Sequence, residues 1–170
     1  MTTPAPRPTP AVPAAAPEPR LGGALAVIFW CACGITALPL AGLFTLVSSL
    51  GVAGAQSALF DSFAGPGVAQ QVLRLGLLPQ LVLFAWAACL VVLTVAKSRL
   101  ALSLAPWLLM AWVATGAYSQ FAIRDAIAPD GADLGAFAAL VPGLLAQAAG
   151  AAAFFGYFRE GKRPAAYYRR

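Results

Sequence analysis

From Leu21 to Phe60 the chain carries no charged side chain. A stretch of that kind cannot coat itself with water-facing groups, and three further apolar runs follow it. Charges delimit them: Leu75–Ala96 lies between Arg74 and Lys97, Leu100–Ile123 between Arg99 and Arg124, and Leu134–Phe158 between Asp133 and Arg159. A helix needs roughly 20 apolar residues to cross about 30 Å of hydrocarbon, and each run is long enough. Backbone amides in lipid must be satisfied within the segment, and no run shows the period-two alternation of a lipid-facing strand, so each is predicted to be an α-helix. The expected helices are about 23–49, 75–96, 100–123 and 134–158, the first ending where Ser48, Ser49 and Gly51 interrupt it. The expected fold is all-α: a polytopic membrane protein whose residues 21–158 form a four-transmembrane-helix bundle.

Composition agrees. Charged residues make up 10% of the chain and hydrophobic residues 61%, whereas a soluble domain carries about 25% charged residues. Ala53-Gly54-Ala55 has the small-x-small pattern of a leader-cleavage site. The apolar run before it far exceeds the roughly 15 residues of a signal-peptide core, so the first helix is expected to stay in the chain as a span.

Residues 1–20 are of another kind. They hold seven prolines and, apart from Met1 and Val12, no large apolar residue. Proline fixes φ and removes an amide donor, so this segment is read as a disordered, partly polyproline-II cytoplasmic tail that serves as a spacer or a proline-motif ligand.

Basic residues set the orientation. With the N-terminus inside, the cytoplasmic parts hold Arg7, Arg20, Lys97, Arg99, Arg159, Lys162, Arg163, Arg169 and Arg170, and the outer parts hold only Arg74 and Arg124. That asymmetry predicts an N-in/C-in topology. The net charge of +5 therefore reads as membrane address, not nucleic-acid binding. Lys97-Ser98-Arg99 is short enough to make the second and third helices a tight hairpin, and 124–133 is a short outer turn. The longer outer stretch 50–73 spaces Leu59, Phe60 and Phe63 as a short interfacial helix would, broken at Gly65-Pro66-Gly67.

The four expected spans contain no Asp, Glu, Lys, Arg or His, and the whole chain has no histidine. Intramembrane ionisable groups mark proton relays and ion sites, so the spans lack the usual signature of a proton-coupled carrier. Histidine-held haem, histidine-based zinc sites and histidine-dependent triads are excluded. Cys31, Cys33 and Cys89 all lie in apolar runs. Helical positions two apart point about 200° apart, so Cys31 and Cys33 suit neither one metal nor a disulfide. All three read as small core hydrophobes. No catalytic residue, cofactor site or metal site is assigned.

Two groups of residues remain as candidates. Arg159, Lys162, Arg163, Arg169 and Arg170 concentrate charge in the segment 159–170, read as a basic cytoplasmic tail that contacts anionic lipid or a partner protein. Gly143, Ala146, Gly150 and Ala153, with Gln147 among them, place small residues at three- and four-residue spacing and read as a helix-packing face, either within the bundle or between copies. The polar span residues Thr36, Thr45, Gln80, Thr94, Ser103, Thr115, Tyr118, Ser119, Gln120 and Gln147 read as interhelical hydrogen-bonding groups, with a place on a substrate path as the alternative for Gln147. Pro39, Pro79, Pro106 and Pro142 read as one kink per span. Trp107 and Tyr157 suit interfacial anchoring, while Trp86 and Trp112 lie deep, where each indole N–H needs a partner.

The two ends of the membrane region also resemble a known family. Leu21-Gly22-Gly23-Ala24-Leu25 and Pro39-Leu40 at one end, with Phe154, Tyr157-Phe158, Lys162-Arg163 and Tyr168 at the other, resemble the domain of unknown function 2569 family of small four-helix bacterial inner-membrane proteins. The departures are Ala24 for the family's tryptophan, Gly156 for proline, Gly161 for serine and Pro164 for an aliphatic residue. The resemblance spans about residues 21–168 and implies the same four-helix layout. It implies no activity.

The function expected is that of a non-catalytic integral protein of the bacterial inner membrane, such as an accessory subunit of a larger membrane complex. A small oligomeric transporter is the alternative. A membrane-embedded enzyme is disfavoured by the lack of any nucleophile–base pair.

Overall fold

The computed structural model describes residues 21–128 and 133–168. The Pro-rich segment 1–20, with its expected disorder, lies outside the described residues, as do 129–132, Arg169 and Arg170. Six helices are present: α1 Ala24–Ala64, α2 Val68–Val95, α3 Leu100–Ile127, α4 Leu134–Ala138, α5 Val141–Glu160 and α6 Lys162–Tyr167. Four of them (α1, α2, α3 and α5) are long and apolar enough to cross a membrane.

The helix ends follow local chemistry. α1 is broken at Gly51, whose φ of 72° and ψ of 170° leave the helical region. A positive φ is open to glycine at little cost, so the interruption expected at Ser48–Gly51 falls on that residue. The chain then resumes its helix to Ala64 and stops at the extended Gly65, as the Gly65-Pro66-Gly67 signal implied. α2 starts at Val68, ahead of the expected Leu75, and α3 runs past Arg124 and Asp125 to Ile127.

The α2–α3 turn is a Schellman closure. Ser98 N–H donates to the Leu93 carbonyl at 3.0 Å and Lys97 N–H to the Thr94 carbonyl at 3.2 Å. Lys97 sits in the left-handed position, at φ 51°, where glycine is usual.

The fourth expected span, 134–158, is corrected by the structure: it is two helices. α4 ends at Ala138, Ala139 and Leu140 turn, and α5 begins at Val141. Pro142 has no N–H to give the Ala138 carbonyl, and here the helix breaks before it, whereas α1, α2 and α3 continue through Pro39, Pro79 and Pro106. In the first turn of α5 no such bond is required. Pro142 therefore starts a helix and does not kink one.

Interhelix packing runs α1 on α2, α2 on α3 and α3 on α5, with α6 closing onto α5. Each long helix offers a seam at three- and four-residue steps: Leu25, Ile28, Ala32 and Ile35 on α1; Leu83, Ala87, Leu90 and Thr94 on α2; Ala101, Ala105, Leu109, Trp112 and Gly116 on α3. On α5 the seam is Leu144, Gln147, Ala151, Phe154 and Phe158. Such spacing gives the shallow crossing of helical bundles. Alanine is the commonest buried residue and lets backbones approach closely. Large apolar side chains on α1 point outward, Trp30, Leu38 and Phe44 being 70%, 74% and 76% exposed, while Trp86, Leu90 and Phe158 are buried.

Candidate functional site

The structure concentrates its specific contacts at one end of the bundle, where residues 21–25, 94–101 and 158–168 meet. The segment expected as a basic tail forms α6 and docks. Gly161, extended at φ −69° and ψ 124°, turns the chain after α5, and Pro164 occupies the first turn of α6. Pro164, Tyr167 and Tyr168 are buried, while Lys162 and Arg163 stay exposed. Phe158 lies between the stacked Phe154 ring, 4.3 Å away, and the tilted Tyr168 ring at 6.1 Å.

Two tyrosine hydroxyls meet α2 at a single residue. Tyr168 Oη and Thr94 Oγ1 share a 2.8 Å hydrogen bond, and Tyr167 Oη donates to the Thr94 carbonyl at 3.3 Å. Thr94 is 1% exposed, so without Tyr168 its hydroxyl would be buried with no interhelix partner. Burial pushes the Tyr168 phenol above its ordinary value. The Thr94 bond pulls in the opposite direction, and the neighbouring Tyr167 and Tyr157 add to the rise. Arg163 reaches back across the start of α1: a Cβ on Gly23 would collide with its guanidinium, and Gly23 itself has φ 62°.

The sequence signal for this docking lay in Gly161, Pro164 and the Tyr167-Tyr168 pair. Reading 159–170 by its charge alone passed over them. Of the five basic candidates, Arg159, Lys162 and Arg163 are exposed, and Arg169 and Arg170 lie outside the described residues.

The small-residue face is placed differently from a bundle-interior seam. Gly143, Ala146, Gly150 and Ala153 are exposed, and nothing lies within 4 Å of a Cβ built on Gly143 or Gly150. Only Gln147 of that group turns partly inward, its Oε1 3.9 Å from a Cβ built on Gly116 of α3. Within the single chain the other four leave their side free.

Two of the polar span residues cross between elements. Thr94 is one and Ser119 is the other: its hydroxyl donates to the Leu75 carbonyl of α2. The reason is local. Pro79 stands four residues after Leu75 and has no N–H to offer, so the Leu75 carbonyl is left free for Ser119. Thr36, Thr45, Ser103 and Thr115 instead bond back to carbonyls of their own helices. Trp86 packs edge-to-face on Phe154 at 5.7 Å, and its Nε1 has no hydrogen-bond partner among the described residues. Tyr157 Oη is likewise buried without one, which corrects its reading as a water-facing anchor. Trp107 is 64% exposed.

Chemically, the buried polar side chains among the described residues, Thr94 and Ser119, are both engaged in holding helices together. Cys31 is exposed, Cys33 and Cys89 are half-buried, and none is bonded to another. No family model, no curated protein and no solved structure matches the chain.

Proposed function

We propose that this chain is a four-span protein of a bacterial cytoplasmic membrane with both termini inside, and that it acts without catalysis of its own as an accessory subunit of a larger membrane complex. The observation that carries the reading is the pattern of exposure. Large apolar side chains on α1 and a small-residue face on α5 both look outward. The first suits lipid, and the second suits close approach by a helix from outside the chain. The asymmetry of basic residues supports the orientation, and the absence of ionisable residues from the four expected spans supports a role other than proton-coupled transport. Anionic lipid at the cytoplasmic face and another membrane protein are the partners this reading names, with Lys162 and Arg163 as their exposed contacts.

Purification in mild detergent tests it. The protein is expected to emerge in stoichiometric association with a larger membrane complex, and Lys162→Ala with Arg163→Ala is expected to weaken that association. Recovery of the chain alone from intact membranes would sink the accessory role. Reporters fused after Arg99 and Arg170 should read cytoplasmic, and one within 124–133 periplasmic. A periplasmic C-terminal reporter would overturn the orientation.

A further inference from the structure

Beside the docked α6 lies a cavity of about 430 Å³, within the roughly 300–1,000 Å³ range of ligand pockets. Two arginines from different helices line it: Arg99 at the start of α3 and Arg159 at the end of α5. The rest of its lining is mostly apolar, with Leu102, Pro106, Trp107, Phe155 and Phe158, and no carboxylate contributes among the described residues. Neither guanidinium makes an ion pair among the described residues. Arg159 is held by the Phe155 ring, 5.6 Å from its centroid, and Phe155 is in turn met edge-on by Trp107 at 5.8 Å. The amides of α3's first turn are already engaged, and the Ser103 hydroxyl donates to the Leu100 carbonyl. The attraction for an anion therefore falls on the two arginines.

We infer that this cavity binds one acidic glycerophospholipid, its phosphate held between Arg99 and Arg159 and an acyl chain lying along Trp107 and Phe155. The charge complement is specific. Guanidinium groups match a phosphodiester with paired donors, and both stand where apolar helix gives way to charged residues, the depth of a lipid headgroup. A soluble anion would use the arginines and leave the aromatic wall idle. A neutral lipid would use the wall and leave two cations uncompensated. The inference rests on the membrane-spanning reading and is independent of the accessory role, so failure of the co-purification leaves it standing.

Native mass spectrometry of the full chain in an uncharged detergent, titrated with phosphatidylglycerol or phosphatidylcholine, tests it. The expected result is one saturable phosphatidylglycerol site, at least tenfold tighter than phosphatidylcholine and not displaced by millimolar inorganic phosphate. Arg99→Gln with Arg159→Gln should erase the preference. Arg74→Gln with Arg124→Gln, which removes the same charge from the other end of the molecule, should keep it. Circular-dichroism melting checks that the variants are folded. If the glutamine pair does not fold, Arg99→Lys and Arg159→Lys take its place and should each weaken binding about threefold. A preference within twofold of wild type in the Arg99/Arg159 variants overturns the site. So does an equal loss in the Arg74/Arg124 pair, and so does full displacement by phosphate.

Discussion

The two ends of this molecule are built on different terms. At the end that gathers residues 21–25, 94–101 and 158–168, aromatic rings stack, two tyrosines bond to Thr94, and a short helix folds back over the long ones. At the opposite end Ser119 bonds to the carbonyl that Pro79 leaves open, and Arg74 of α2 reaches the Gly65 carbonyl. There α1 swings at Gly51 into an arm reaching Ala64, and α4 is only a short turn of helix. Small residues along a helix allow neighbours to approach but do not close the bundle. Closure comes from groups that bring both shape and hydrogen bonds, and here the residues after the last long helix supply them.

That contrast can be broken most forcefully at Tyr168, which is 1% exposed. Tyr168→Ala removes a large ring against Phe158 and strands the Thr94 hydroxyl. It is expected to cost about 3–5 kcal/mol, the range for large-to-small aromatic changes in a core. Unfolding in mixed detergent micelles measures it, and a loss under about 1 kcal/mol, below even a modest core truncation, would mean that α6 is not docked.

At the other end, Ser119→Ala should cost about 0.6–2 kcal/mol, as expected for one interhelical hydrogen bond. Pro79→Ala supplies the missing N–H to the Leu75 carbonyl. In that background Ser119→Ala should be nearly silent, giving a clear coupling in a double-mutant cycle. Additive costs would show that the serine and the proline do not act on the same carbonyl.

The smallest effect is a pH dependence confined to the closed end. Burial raises the Tyr168 phenol above its ordinary value of about 10. Between that value and the raised one, the unfolded chain has released the proton and the folded chain still holds it. The contribution is therefore complete below pH of about 10 and is lost as pH rises through the folded value. Tyr168→Phe is expected to lower stability by about 1 kcal/mol at neutral pH and to flatten the alkaline decline. An alkaline decline identical to wild type would assign it to another group.

How much of this was open to sequence reading differs by feature. The apolar runs, the hairpin at Lys97-Ser98-Arg99 and the stop at Gly65-Pro66-Gly67 could be read because each depends on local chemistry. The division of the fourth segment turned on one residue: Pro142 within an apolar run reads equally well as a kink or as a first turn, and only the position of the neighbouring helices decides. The orientation of α5 was closed to reading for a deeper reason. Periodicity tells which residues share a face. A helix that is apolar all round has no polar side to say which face looks inward. Gly143, Ala146, Gly150 and Ala153 are all exposed, while Leu144, Ala151, Phe154 and Phe158 hold the seam. The partner of Trp86, the ring of Phe154, is distant in sequence and could not have been named.

Lys97 carries a last consequence. Its left-handed backbone costs a residue with a Cβ about 1–2 kcal/mol that glycine would not incur. Glycine would remove that cost, and with it the Lys97 side chain and its charge. Glycine would leave Arg99 as the only cation between the second and third hydrophobic segments during insertion, the stage at which positive charge holds a loop on the side of synthesis. In the proposed orientation, this turn accepts a slightly strained backbone and keeps two positive charges between the second and third hydrophobic segments, on the side of synthesis.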